Sequence, residues 1–126
     1  MKLSALFGRW FAMFSTIQSN EICKIIDIKN NTSENFDVCF YSLSLDNINH
    51  SICFEGSLNN TVVHLNNDET LQFFPFIDSD NALSVIYHKY IYIVTKNISR
   101  FEDEFAYLNF NESLFAIDQT TCVLPC

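Results

Sequence analysis

Cysteine and histidine are among the residues of this chain that could act as nucleophiles or metal ligands, and neither type is clustered. His50, His64 and His88 lie far apart and lack the spacing typical of metal ligands. A cysteine nucleophile would need a histidine partner, and glycine-rich phosphate loops and paired catalytic carboxylates are absent. We therefore predict no metal site, no cofactor and no enzymatic activity. The cysteines are Cys23, Cys39, Cys53, Cys122 and Cys126.

Five cysteines in so short a chain favour a disulfide-bonded, secreted protein. Six N-x-S/T sequons point the same way, because chance would give about two for this content of Asn, Ser and Thr. We interpret Met1 as a start residue ahead of a mature domain whose signal peptide has been removed. The alternative is a cytosolic protein with reduced thiols and unused sequons. Glycosylation is predicted at Asn31, Asn49, Asn59, Asn97 and Asn111, with a further sequon at Asn30.

The composition describes one globular, aromatic-rich and acidic domain. The chain has 126 residues, 48% of them hydrophobic, with 13 phenylalanines and a net charge of −8. This length suits a single core, so residues 1–126 are predicted to form one domain. The acidity disfavours binding to nucleic acids and to anionic membrane surfaces. No apolar run is long enough to cross a bilayer, so we also expect no stable membrane insertion.

Short β-prone runs alternate along the chain with clusters of Asn, Asp and Ser, residues that favour turns. Regular short strands of this kind favour an antiparallel sandwich or an up-and-down barrel, and a closed barrel leaves no exposed edge strand. The eight predicted strands are Gly8–Ile17, Ile22–Lys29, Phe36–Leu45, Ser51–Leu58, Thr61–Leu65, Thr70–Ile77, Ala82–His88 and Tyr90–Lys96.

The hydrophobic pattern changes from strand to helix near the C-terminus. Phe101, Phe105 and Leu108 follow an i, i+4, i+7 spacing that places them on one helical face. Ser99 and Glu102 have the spacing of a capping box, and the acidic residues from Glu102 onward would then lie in the first turn, where the helix dipole favours negative charge. The pattern predicts one short amphipathic helix.

Four segments form a further pattern when they are taken in order. Gly8-Arg9-Trp10 opens the first strand, "FIDSDNALSVIY" leads into the seventh, Lys96 ends the eighth and "IDQTTC" follows the helix. In this order they resemble small apolipoprotein D-like and insect lipocalins, in the calycin superfamily. The resemblance implies an eight-stranded up-and-down antiparallel β-barrel with one short C-terminal α-helix packed outside. It also implies that Trp10 plugs the closed end, that Gly8 allows the tight entry into the first strand, and that Lys96 covers Trp10.

Two disulfide schemes satisfy the alternation of strand faces. A turn at Asp46 places Cys39 opposite Cys53 on the outer face of the third and fourth strands. A hairpin centred on Asn31 would instead pair Cys23 with Cys39. The lipocalin resemblance favours the first scheme, since it implies a bond from Cys23 to the tail residue Cys122. Cys126 is then left over, as a free or disordered residue, a dimer link or a substitute partner.

The inward-facing strand positions are rich in aromatic residues, which either fill the core or line a cavity. The resemblance favours a cavity. Lys24, Lys89 and Arg9 are candidate anchors for a ligand carboxylate, although solvated surface charges are the simpler interpretation. His88 could reach a ligand or a haem iron, although an exposed histidine in a turn is the simpler interpretation. The predicted ligand-binding residues are Phe14, Ile26, Phe40, Phe54, Phe74, Phe76, Ile86 and Tyr92.

The resemblance implies a secreted carrier or sequestering protein for one small hydrophobic molecule, such as a fatty acid, eicosanoid, sterol or similar lipid, with haem as a further option. One alternative is a barrel that binds a protein partner, for example in immune modulation, and holds no internal ligand. A lipid isomerase with a cysteine inside the barrel is the other.

Overall fold

The computed structural model describes residues 5–18, 21–30, 35–44, 48–59, 61–75, 81–108 and 114–119. These residues form nine strands and one helix. The first eight strands agree closely with the predicted bounds, and the short ninth strand was not predicted. The strands are β1 (Gly8–Ser15), β2 (Ile22–Asn30), β3 (Phe36–Leu43), β4 (Asn49–Asn59), β5 (Val62–Leu65), β6 (Thr70–Pro75), β7 (Ala82–Tyr87), β8 (Tyr90–Thr95) and β9 (Phe115–Ala116), and the helix is α1 (Ile98–Glu104). No helix in these ranges is long and apolar enough to cross a membrane.

The strands close into a barrel. Each strand from β2 to β7 pairs antiparallel with the next one in sequence, β8 pairs with β1, and β1 pairs with β2. The short strand β9 adds to β1 through Phe14 and Ala116. The prediction of an eight-stranded up-and-down barrel with one helix outside is therefore confirmed.

The register of β3 and β4 agrees with the prediction from sequence. Val38 lies opposite Phe54, Cys39 opposite Cys53, and Phe40 opposite Ile52. Because side chains alternate between the two faces of a strand, this register turns the two cysteines to the outside of the barrel.

Trp10 is buried at the closed end of the barrel. Its side chain is 1% exposed, and its Nε1 donates a hydrogen bond to the Leu6 carbonyl at 2.9 Å. The Lys96 Nζ lies 4.9 Å from the centre of the indole ring, which is a cation–π distance. Gly8 has a φ of +125°, a conformation that other residues rarely adopt, and an added Cβ would come within 3.3 Å of Lys96 Cε.

The interior next to Trp10 is packed with apolar side chains from every strand of the barrel, with Phe54 and Leu58 of β4 only partly buried. Phe36, Val38, Val63, Leu71, Phe73 and Val85 all have no measurable exposure. Such dense packing supplies most of the hydrophobic stabilisation of a small domain.

Helix α1 packs outside the barrel on a second apolar cluster. Phe101 and Phe105 are buried against Ala82 and Ile93. The N-cap lies two residues before the predicted cap at Ser99, because the Asn97 side chain accepts the Arg100 N–H at 3.0 Å. The prediction of a Ser99–Glu102 capping box is wrong, and the first turn contains no acidic residue.

Candidate ligand-binding cavity

The open end of the barrel, opposite Trp10, encloses a cavity of about 840 Å³. Its wall is formed by the ends of β1 to β4, β7 and β8 and by the hairpin between β5 and β6. The lining residues are Ala12, Glu21, Lys24, Ile25, Ile26, Phe40, Tyr41, Ser42, Asn49, His50, Ser51, Ile52, Phe54, Asn67, Glu69, Tyr87 and Tyr92.

Aromatic rings form the floor of this cavity. Phe40 of β3 stacks on Tyr87 of β7 with 5.1 Å between ring centres, and Phe40 also contacts the edge of Phe54 at 6.1 Å. Because β3 and β7 are not neighbours in the sheet, the Phe40–Tyr87 stack crosses the lumen. Below it the barrel is filled by the packed core, so the cavity is a cup confined to one half of the barrel.

Four of the eight predicted ligand-binding residues line the cavity, namely Ile26, Phe40, Phe54 and Tyr92. Phe76 lies outside the described residues. Phe14, Phe74 and Ile86 are placed elsewhere, and their predicted inward orientation is corrected by the structure.

Phe14, Phe74 and Ile86 point to the outer face for two physical reasons. In β1 the register shifts between Ala12 and Phe14, and such a bulge turns the following side chain to the opposite face. The Phe14 ring therefore packs against Phe101 of α1 at 6.4 Å. In β6 and β7 the predicted alternation was displaced by one residue: Phe73 lies opposite Val85 in the core, which leaves Phe74 and Ile86 on the outer face.

A network of polar side chains borders the cavity at Glu69. Its carboxylate accepts a hydrogen bond from the Tyr87 hydroxyl at 3.0 Å, and its second oxygen lies 2.7 Å from Nε2 of His88. Partial burial, followed by this bond to Glu69, raises the pKa of Tyr87 to about 12. The Nε2 of His88, a residue that could reach a ligand or a haem iron by the sequence analysis, thus faces Glu69.

Sequence reasoning missed Glu69, Tyr87 and the neighbouring Asn67 as cavity residues. They belong to the β5–β6 hairpin and to the end of β7. Alternate hairpins of an up-and-down barrel lie at the same end, so the position of the β3–β4 turn could have indicated that these residues also reach the mouth.

Lys24 is the one lysine or arginine on the cavity wall within the described ranges. Its Nζ lies 5.6 Å from the centre of the Tyr92 ring, and burial is the main cause of a raised pKa at Tyr92. The nearby Glu21 carboxylate accepts a hydrogen bond from Ser42. Arg9 does not line the cavity, and its Nη2 lies 3.1 Å from the Asp27 carboxylate. Lys89 is exposed in the β7–β8 turn.

The C-terminal segment completes the wall where β1 and β2 separate. These two strands pair only from Gly8 to Phe11 on the β1 side. Beyond that point the Gln119 amide donates to the carbonyls of Ala12 at 2.7 Å and Lys24 at 2.9 Å. The Asp118 carbonyl also accepts the Cys23 N–H at 2.8 Å. The segment therefore joins two strands that no longer bond to each other.

Disulfide-bonded cysteines also lie in the half of the barrel that contains the cavity. Cys39 and Cys53 form the predicted bond, which rules out the alternative pairing of Cys23 with Cys39. Cys23 is also disulfide-bonded, and its predicted partner Cys122 lies outside the described residues, as does Cys126. The cysteines in the described ranges are thus bonded, and no group of three or more potential metal ligands occurs there.

Four sequon asparagines are exposed in the structure: Asn30, Asn49, Asn59 and Asn97. Asn49 borders the cavity, and Asn97 caps α1. Asn31 and Asn111 lie outside the described residues.

Comparison with known proteins identifies the fold. Neither a family model nor a curated protein sequence matches the chain. Among solved structures, the cockroach allergen Per a 4 matches with a TM-score of 0.72 at 10% identity, over 97% of this chain and 90% of that one. Lobster apocrustacyanin A1 matches with a TM-score of 0.62 at 13% identity, over 95% and 81% of the two chains. The siderocalin Ex-FABP matches with a TM-score of 0.64 at 9% identity, over 96% and 99%.

All three of these proteins are lipocalins. The chain therefore has the lipocalin fold, as its sequence motifs predicted.

Proposed function

We propose that this protein binds one small hydrophobic ligand in its open-ended cavity and carries or sequesters it. The observation that carries this proposal is a cup of about 840 Å³ with an aromatic floor. Cavities of about 300–1,000 Å³ lined by apolar side chains with a few polar groups are typical of small-molecule sites. Burial of apolar ligand surface against Phe40, Phe54 and Ile26 would supply the affinity.

The ligand class that fits best is a lipid with a carboxylate head, such as a fatty acid or an eicosanoid. Its chain would lie on the aromatic floor, and its carboxylate would reach the ammonium of Lys24 near the mouth. A charge-assisted bond of this kind is stronger than one between neutral groups. The floor limits how deep the chain can extend, which favours short or bent lipids over long straight ones.

Carriage in an extracellular setting is supported by the disulfides. The Cys39–Cys53 bond and the bonded Cys23 belong to an oxidising compartment. The bonded cysteines also leave no thiol nucleophile within the described ranges, which favours binding over catalysis.

The test is a titration with a fluorescent fatty acid such as cis-parinaric acid, with native mass spectrometry to count bound molecules. We expect one molecule per chain. Lys24→Met should weaken carboxylate binding by roughly 10- to 150-fold, since an ionic hydrogen bond contributes about 1.5–3 kcal/mol. The same variant should bind the matching fatty alcohol about as well as the wild type does.

Lys89→Met is the matched control, because Lys89 is an exposed lysine outside the cavity. It should leave carboxylate binding unchanged. Failure of the wild-type protein to bind any fatty acid, fatty alcohol or sterol would contradict the proposed function. If Lys24→Met and Lys89→Met lowered the affinity for the carboxylate equally, the result would contradict the proposed role of Lys24 but not the proposed function.

A further inference from the structure

Strand β4 has a glycosylation sequon at each of its two ends. Asn49-His50-Ser51 begins the strand, and Asn59-Asn60-Thr61 begins at its last residue. Both asparagines are exposed. At about 3.3 Å per residue, the eleven-residue strand separates them by roughly 33 Å. One sequon lies at the mouth of the barrel, and the other lies at the β4–β5 hairpin of the closed end.

Only the first of these sequons borders the cavity. Asn49, His50 and Ser51 all line it, whereas Asn59 does not. The neighbouring Ile48 and Ile52 are 53% and 55% exposed, so an apolar lip lies beside Asn49. A ligand that enters or leaves the cup on this side passes this lip.

We propose that Asn49 carries an N-linked glycan that obstructs the mouth of the cavity and slows ligand exchange. This inference rests on the proposed function, since it needs both a ligand and passage through the secretory pathway. A glycan is bulky and strongly hydrated, so it covers the lip formed by Ile48 and Ile52. The Asn59 glycan, at the other end of the same strand, has no access to the mouth.

The glycan changes the rates of exchange more than the affinity. A group alters an equilibrium only through a difference in its interaction with the two states. A glycan rooted on the rim obstructs the path into the cup and makes no contact with the floor, where the ligand chain binds. Entry and exit therefore slow together, and the dissociation constant stays nearly the same.

The experiment compares four proteins from a eukaryotic secretory host: wild type, Asn49→Gln, Ser51→Ala and Asn59→Gln. Asn49→Gln and Ser51→Ala remove the same sequon through different residues, and Asn59→Gln keeps it. Intact mass and glycopeptide analysis establish occupancy, and stopped-flow fluorescence with cis-parinaric acid gives both rate constants. Each protein is also made in bacteria, without glycans, so that the ratio of rates between the two hosts isolates the glycan from the side chain.

We expect wild type and Asn59→Gln from the secretory host to bind and release the probe roughly three- to tenfold more slowly than their bacterial counterparts. For Asn49→Gln and Ser51→Ala this ratio should be close to one. An unmodified Asn49, or an occupied Asn49 with a ratio of one in the wild type, overturns the inference. Absence of probe binding in every preparation, including the bacterial ones, overturns the proposed function as well, so the two failures are distinguishable.

Discussion

At its closed end the barrel is filled by Trp10, Phe36 and Phe73, whereas at its open end the same sheet encloses a cavity of about 840 Å³. The closed half can rely on apolar packing, because nearly every inward side chain contacts others on all sides. The open half has no such core above the Phe40–Tyr87 stack. Its strands must be held together by interactions within the wall itself.

Within the described residues, the wall of the open half is linked by a disulfide and by side-chain hydrogen bonds. The Cys39–Cys53 bond joins β3 and β4 beside Phe40, at the level of the cavity floor. Gln119 joins β1 and β2 where their own pairing ends. The difference between the two ends teaches that a barrel can be hollow in one half when covalent and polar links replace the missing packing there.

The largest effect is expected from truncating the packed end. Phe73→Ala should lower the free energy of unfolding by about 3–5 kcal/mol, because it removes a fully buried ring. Its neighbour Phe74 is 42% exposed on the outer face, so Phe74→Ala should cost less than about 1 kcal/mol. Urea unfolding followed by the fluorescence of the single tryptophan measures both. Equal losses would contradict the assignment of faces in β6.

Breaking the disulfide tests the open end. The double variant Cys39→Ala, Cys53→Ala should lose about 3 kcal/mol, since the bond closes a loop between cysteines 14 residues apart. Hydrogen exchange should increase in β3 and β4 around the cavity more than in the strands next to Trp10. An equal increase in hydrogen exchange throughout the barrel would show that the disulfide does not stabilise the open half more than the closed half.

The strands and the closed end could be predicted from sequence because local rules determine them. Turn residues marked the strand boundaries. The alternation of faces limited the partner of Cys39 to Cys53 or Cys23, and the lipocalin resemblance favoured Cys53. The G-x-W motif identified Trp10 without any knowledge of its neighbours. Each of these inferences needs only a short stretch of chain or one hairpin.

The cavity could be predicted only in part, because its wall depends on details that local patterns do not contain. A one-residue bulge after Ala12 moved Phe14 to the helix-packed face. The stack of Phe40 on Tyr87 joins opposite sides of the barrel, so it exists only after closure. The same holds for Glu69, which reaches the mouth from a hairpin that carries no signal of function in its sequence.

A smaller effect is expected at the seam between β1 and β2. Gln119→Ala removes two hydrogen bonds that join the strands and should cost about 1–2 kcal/mol. Gln18→Ala is the matched control, because Gln18 is an exposed glutamine, and it should change stability by less than about 0.5 kcal/mol. Differential scanning calorimetry measures both variants. If Gln18→Ala lowered the free energy of unfolding as much as Gln119→Ala does, the two hydrogen bonds of Gln119 would make no specific contribution to stability.

The smallest effect concerns the hydrogen bond between Tyr87 and Glu69 at the cavity floor. The pKa of Tyr87 is raised from 10.0 to about 12 in the folded protein, through burial first and Glu69 second. The folded state therefore holds this proton more tightly than the unfolded state does. Its contribution to stability is complete below pH 10 and is lost as the pH rises from 10 to about 12.

Absorbance at 295 nm against pH, compared between wild type and Tyr87→Phe, isolates the titration of this one phenol. In Glu69→Gln the amide still accepts the hydrogen bond but carries no charge, so the Tyr87 pKa should fall while burial keeps it above 10. Glu55→Gln, a change on the outside of β4, should leave the titration of Tyr87 where it is in the wild type. If Glu69→Gln also left the Tyr87 pKa unchanged, burial alone would raise this pKa, and the charge of Glu69 would have no effect on Tyr87.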